Sequence, residues 1–188
     1  MNKKICFVYT ETNGLHKTND EISKKNLFWF ARLIVLNYEI GTIINDEYVQ
    51  DKKVRLIIKP RCMIIPDETI EFHGITYEKA NKKGINPEEA LNIFKLDIKD
   101  VDIIISHNID FHLKTILSES LKYNISIDFN KILIVDTISF YHSFGFIKLK
   151  DLALKLNIKD IPEKNKYNIE LIKNVFFKLY SKFQKSII

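Results

Sequence analysis

Two short runs constrain this fold more than any other feature. Val101–Ile105 is of strand length and, Asp102 apart, apolar; Ile132–Val135 is apolar throughout. A strand without polar alternation has both faces covered, as in sheets flanked by helices. Residues 109–123 lie between the runs and carry Leu113, Ile116, Leu117 and Leu121 at helical spacing. A strand, a crossover helix and a parallel strand are therefore expected.

The N-terminal half reads differently. Ile5–Tyr9 is a short apolar strand entering a polar turn, Thr10–Gly14. Residues 27–44 carry a long apolar segment closed by the Asn45-Asp46 turn signal, and Val54–Lys59 is a β-rich run stopped by Pro60. Together these predict an antiparallel meander. Pro87-Glu88-Glu89 opens a short helix through Phe94, with its acids at the positive end of the helix dipole. Residues 149–156 predict another short helix. Ile169, Ile172, Phe176, Leu179 and Phe183 mark a long amphipathic final one. The expected class is α/β: a five-stranded mixed sheet, three antiparallel strands and then two parallel, covered by helices in a single domain over residues 1–188.

Composition excludes the other broad classes. With 46% hydrophobic and 28% charged residues in 188, disorder and fibrous repeats do not fit. Nothing approaches the roughly 18 apolar residues needed to span a bilayer, and the apolar run after Lys3-Lys4 is too short for a signal sequence. A cytoplasmic, soluble chain with no membrane partner is expected. Cys6 and Cys62 lack metal-ligand spacing and read as buried free thiols. The net charge of +5 is unevenly placed: residues 148–188 carry 10 basic against 4 acidic side chains, residues 1–147 carry 19 against 20. An A/T-rich coding sequence also favours lysine, so charge alone leaves a nucleic-acid partner open.

Five stretches then occur in order. They are Val8-Tyr9-Thr10-Glu11-Thr12-Asn13-Gly14-Leu15; Ile65-Pro66 with Phe72-His73-Gly74-Ile75-Thr76; Ser106-His107-Asn108-Ile109-Asp110-Phe111-His112-Leu113; Val135-Asp136-Thr137; and Lys148-Leu149-Lys150-Asp151-Leu152-Ala153. This series resembles the DnaQ-like (DEDD) 3′–5′ exonucleases of RNase H-like fold, in particular the proofreading, DNA polymerase III epsilon-subunit type. Members of that family hydrolyse phosphodiesters with two Mg²⁺ or Mn²⁺ ions held by four carboxylates.

The departures from the pattern carry the functional reading. The resemblance puts Tyr9 where the first carboxylate belongs, keeps Glu11, puts His112 at the second-motif carboxylate, and aligns Glu163 and Asn168 with the last motif's His and Asp. Glu11 is then the one remnant of the catalytic set and a weak metal ligand at most. Asp110 and Glu170 lie two residues from the ligand positions and so point to other helix faces. Tyr9 either fills the emptied metal cavity or stacks on a base. Glu11 either bonds to the turn or to His112, or keeps a weak metal site. A softer ion such as Zn²⁺ on His112, Glu11 and His107 is a further alternative. By the same resemblance Thr12, Gly14, Leu15, His73, His107, Asn108 and Phe111 border a terminal nucleotide. His107-Asn108 capping the following helix and Phe111 in the core are the structural alternatives.

Three functions stay open. The preferred one is a degenerate exonuclease-fold protein associated with nucleic acid, binding a single-stranded 3′ end or a polymerase or replication-complex protein, with no cofactor and little hydrolysis. The second is an active Mg²⁺- or Mn²⁺-dependent 3′–5′ exonuclease with relocated ligands. The third is a protein-interaction module on the same scaffold. If the C-terminal charge serves nucleic acid, Lys148, Lys150, Lys166 and Lys173 should face the cleft.

Overall fold

The computed structural model describes residues 2–45, 47–140, 146–159, 161 and 168–187, with the side chains of 140 and 181–187 left aside. Five strands form one sheet: β1 Lys3–Thr12, β2 Leu33–Ile44, β3 Glu47–Ile57, β4 Ile103–Ser106 and β5 Leu133–Asp136. Their spatial order is β3-β2-β1-β4-β5. β1 pairs antiparallel with β2, and β2 with β3, whereas β4 and β5 run parallel to β1. The expected mixed sheet is the observed one.

Period-two alternation sorts each central strand between two cores. Ile5 and Phe7 of β1, Ile103 and Ile105 of β4, and Val135 of β5 face α5 Leu149–Lys155 and α6 Asn168–Ile187. Cys6, Val8 and Ile104 face α3 Pro87–Asp97 and α4 Ile109–Lys122. Phe7 meets Phe176 edge to face at 5.6 Å, which locks α6 to the sheet. Fully buried Glu39 on β2 takes Lys173 of α6 at 2.9 Å and Lys53 at 3.2 Å, so its charge is paired.

The structure corrects several sequence expectations. β1 continues through Thr12: Thr10 and Glu11, read as turn residues, pair with Leu36 and Val35 before a bulge. β3 begins at Glu47 because an edge strand tolerates a charged outer face. α1 Asp67–His73 and α2 Tyr77–Lys83 have no sequence counterpart, and each buries one residue, His73 and Ala80. Cys62, expected to be buried, is exposed, whereas Cys6 is buried. No helix among the described residues is long and apolar enough to cross a membrane.

Candidate functional site

The carboxyl ends of β1 and β4 open into a cleft of about 590 Å³, bounded also by α1, α4, α5 and the start of α6. Its lining includes Tyr9, Glu11, Thr12, Gly14, Leu15, His73, His107, Asn108, Phe111, His112 and Asn168. The structure thus brings together every site residue expected from sequence that it describes; Glu163 lies outside the described residues. Parallel strand ends are where open α/β sheets place ligands.

The α4 wall is closed by hydrogen bonds. The Thr10 N–H donates to His112 Nδ1 at 3.1 Å, and the Thr10 hydroxyl lies 2.8 Å from the same nitrogen. An acceptor Nδ1 assigns the proton to Nε2. Burial pushes His112 down to about 3, so it is a neutral tie between helix and strand. His107 behaves alike: Nε2–H donates to the Ile147 carbonyl at 2.7 Å and Nδ1 pairs with the Thr137 hydroxyl at 2.8 Å. His16, which carried no motif signal, accepts from Ala31 N–H at 3.0 Å, bonds the Phe111 carbonyl and stacks on the Phe111 ring at 4.5 Å. Phe111 therefore lines the cleft rather than the core.

Helix α4 is capped, but not as expected. Asn108 adopts a left-handed conformation at φ 59° and its side chain makes no cap. Asp136, at the end of β5, accepts from the Asn108 and Ile109 N–H groups at 2.9 and 3.0 Å and from Ile138 N–H at 2.9 Å. Its carboxylate is committed to backbone donors at a helix N-terminus.

Tyr9 packs against the α5–α6 core with its ring 4.7 Å from His112. Burial, and Glu11 beside it, raise the phenol above its usual range, while a hydrogen bond from Asn168 opposes the rise. Asn168 opens α6 and faces inward with Ile172 and Leu179. The two displaced acids point elsewhere: Asp110 is exposed and pairs with Lys114 at 2.9 Å, and Glu170 pairs with Lys53 and Lys173.

The opposite wall is unsatisfied. Glu11 is 6% exposed, and its Oε1 is buried without a hydrogen-bond partner; of the alternatives for Glu11, a bond to His112 is not made by this atom, and His112 Nδ1 takes Thr10. Burial raises the Glu11 carboxyl to about 7, with Arg55 partly opposing. His73 is 8% exposed; its Nδ1 accepts from Ile75 N–H at 3.0 Å, which leaves Nε2–H as a buried donor without a partner. Burial and the nearby cations Arg55 and Lys79 push His73 down to about 4. A buried polar atom left unpaired costs about 1–3 kcal/mol, and two of them belong to side chains that line one cleft.

The rim is apolar and basic. Leu15, Phe72 and Phe146 are largely exposed around the opening, and Lys148 and Lys150 line it. Phe72 and Phe146 carried no sequence signal of their own, although Phe72 directly precedes His73 in the second motif stretch. Lys173 serves Glu39 and Glu170 instead of the cleft, and Lys166 lies outside the described residues.

These residues do not fit a pair of hard divalent ions. Such ions need several anionic oxygens, and Glu11 is the one acid lining the cleft among the described residues. The Nδ1 of His112 and both ring nitrogens of His107 are engaged, which also removes the Zn²⁺ alternative. Among the described residues, no group of three or more His, Cys, Asp or Glu side chains could hold a metal ion.

The fold and cleft define an RNase H-like exonuclease architecture. The exonuclease family model of RNase T type matches residues 10–163, and the chain belongs to that family, the DEDD-type 3′–5′ exonucleases. Among solved structures, exonuclease I from Methylocaldum szegediense superposes with a TM-score of 0.73 at 13% identity, covering 95% of this chain and 40% of that one. E. coli exonuclease I in complex with a dA16 oligonucleotide gives 0.70 at 12% identity, covering 95% and 41%. The ExoI/SSB-Ct complex gives 0.70 at 11%, also covering 95% and 41%. The chain spans about two fifths of the length of these structures, and at such identities the likeness is one of fold. No curated protein matches by sequence.

Proposed function

We propose that this chain binds the 3′ end of a single strand of nucleic acid in the cleft and hydrolyses it poorly or not at all. The observation that carries this reading is the split between the two walls. The positions where a ligand carboxylate is replaced, among the described residues, are engaged inside the fold, as in His112 with Thr10 and Tyr9 with Asn168. Glu11 Oε1 and His73 Nε2–H, on two side chains that line the cleft, are buried and remain unpartnered. An acceptor and a donor in one cleft suit a terminal hydroxyl, which can both donate and accept.

The rim supports the same reading. Leu15, Phe72, Phe111 and Phe146 offer apolar and aromatic surface on which bases stack. Thr12 and Gly14 form the floor of the turn beside them: the Thr12 hydroxyl donates to the Gly14 carbonyl at 2.6 Å, and Gly14 sits at φ 153°, where a side chain is strained. One fold relative holds an oligonucleotide, and another is an ExoI/SSB-Ct complex. A replication-type protein partner, including a polymerase, belongs to this proposal on the same footing.

The test compares a labelled linear single strand with a circular one of the same sequence, by equilibrium binding at low salt. The linear strand should bind more tightly by ~tenfold or more, because the circle has no end to enter the cleft. Equal affinities would remove end recognition, and absence of binding to both would remove the nucleic-acid reading.

A further inference from the structure

The segment between β1 and β2 starts at the cleft and carries an exposed aromatic pair beside it. Leu15, 79% exposed, lines the opening. His16 follows, stacked on Phe111 and edge-on to Phe30 at 5.3 Å. Lys17 N–H then donates to the Trp29 carbonyl at 2.7 Å. Two residues of chain span at most about 7 Å, so the Trp29 carbonyl lies within about 10 Å of the Leu15 backbone. Phe28 and Trp29 sit there in a 3₁₀ turn, Leu27–Trp29, and are 70% and 43% exposed with ring centroids 4.7 Å apart. A lone exposed apolar side chain is ordinary. These two are paired, and the segment that holds them out is tied down. Asn13 N–H donates to the Arg32 carbonyl at 3.0 Å, and Arg32 N–H donates to the Asn13 side chain at 2.7 Å. Lys24 Nζ donates to Asn124, just past α4, at 3.2 Å.

We propose that Phe28 and Trp29 are a second stacking site, which takes bases of the single strand a few nucleotides upstream of the end held in the cleft. The proposal rests on the reading of the cleft as a site for a 3′ end. A stacked strand advances about 3.4 Å per nucleotide, so ~three nucleotides bridge the distance from Leu15. Bases stack on exposed rings whatever their sequence. A protein partner fits less well. Two aromatic side chains of about 150–250 Å² each fall short of the roughly 800 Å² per partner of a stable interface. The exposed charges of the segment are Lys17, Lys24 and Lys25 against Asp20 and Glu21, a small excess of base, so the phosphates meet no net repulsion.

The experiment uses the full chain, whose one tryptophan is Trp29 and therefore reports on this site alone. A labelled deoxythymidine dinucleotide and a strand of about ten nucleotides, both with a 3′ hydroxyl, are titrated at low salt. Anisotropy follows binding, and tryptophan emission is followed with unlabelled strands of the same lengths. The longer strand should bind more tightly by ~tenfold or more and quench Trp29, whereas the dinucleotide should leave the emission unchanged. The Phe28→Ala/Trp29→Ala variant, at an unchanged thermal midpoint, should bind the longer strand about tenfold more weakly and the dinucleotide within about twofold of wild type. Binding of the longer strand without quenching would overturn the stacking site while leaving the cleft as the binding site, and this readout needs no variant. Wild-type affinity of the folded variant for the longer strand would overturn it equally. Absence of binding for both lengths would overturn the underlying reading and this proposal with it.

Discussion

The α4 wall of the cleft and the wall formed by β1 and α1 face the same space but treat their polar atoms in opposite ways. On the α4 wall, His112 and His107 bond to Thr10, Thr137 and the Ile147 carbonyl, and Asp136 caps the helix. On the other wall, Glu11 and His73 each keep a buried polar atom without a partner. A polar side chain at a position that the resemblance aligns with a ligand is tolerated when it is satisfied inside the fold. An unsatisfied group persists where something outside the chain can satisfy it. The first wall should therefore govern stability and the second should govern binding.

The largest effect is expected from His112→Ala. It removes a buried ring and the partner of two Thr10 donors, and should cost about 3–5 kcal/mol in urea unfolding. A loss below ~1 kcal/mol would mean that the α4 wall is not held by this tie.

Next comes pH. The Glu11 carboxyl is raised to about 7, so between about 4.5 and 7 the folded state holds more protons than the unfolded chain. That contribution is complete below the unfolded value and is lost as pH rises through about 7. His112 and His73, lowered to about 3 and 4, act oppositely: their contribution is present above 6.5 and is lost as pH falls toward those values. Glu11→Gln isolates the first effect. It should gain on the order of 3 kcal/mol relative to wild type between pH 5 and pH 8, read as a difference in thermal midpoints. A constant difference across that range would show that Glu11 ionises normally.

Asp136→Ala follows. It strips α4 of its cap and should cost about 2 kcal/mol, again by urea unfolding. A wild-type midpoint would contradict the capping role.

Smallest in stability, but decisive for the contrast, is Phe72→Ala. With Phe72 67% exposed, the fold should lose less than ~0.5 kcal/mol. Single-strand affinity should fall by about 1 kcal/mol, as expected when one base loses its stacking partner. Loss of stability without loss of affinity would reverse the assignment of the rim.

Much of the fold was legible because burial writes itself into local pattern. The apolar runs at β4 and β5 and the spacing of Ile169, Ile172 and Phe176 in α6 specify their own elements. α1 and α2 escaped because seven-residue helices burying one residue each have no apolar period to read. The cleft residues were legible by motif position, as Glu11, His73 and Phe111 show. Their partners were not. His112 bonds a residue 102 positions away, and Asp136 caps a helix 28 positions earlier. Such pairings arise from sheet register and helix docking, which no local spacing encodes.

The central claim is that the cleft has lost two-metal hydrolysis while keeping a place for a nucleic-acid end. It is tested most directly by a single-turnover assay with the protein in excess over a 3′-labelled single strand, in Mg²⁺ and then Mn²⁺. The strand should stay full length while anisotropy on the same sample reports it bound. Release of labelled mononucleotide that requires the metal and disappears in Glu11→Gln would contradict the claim.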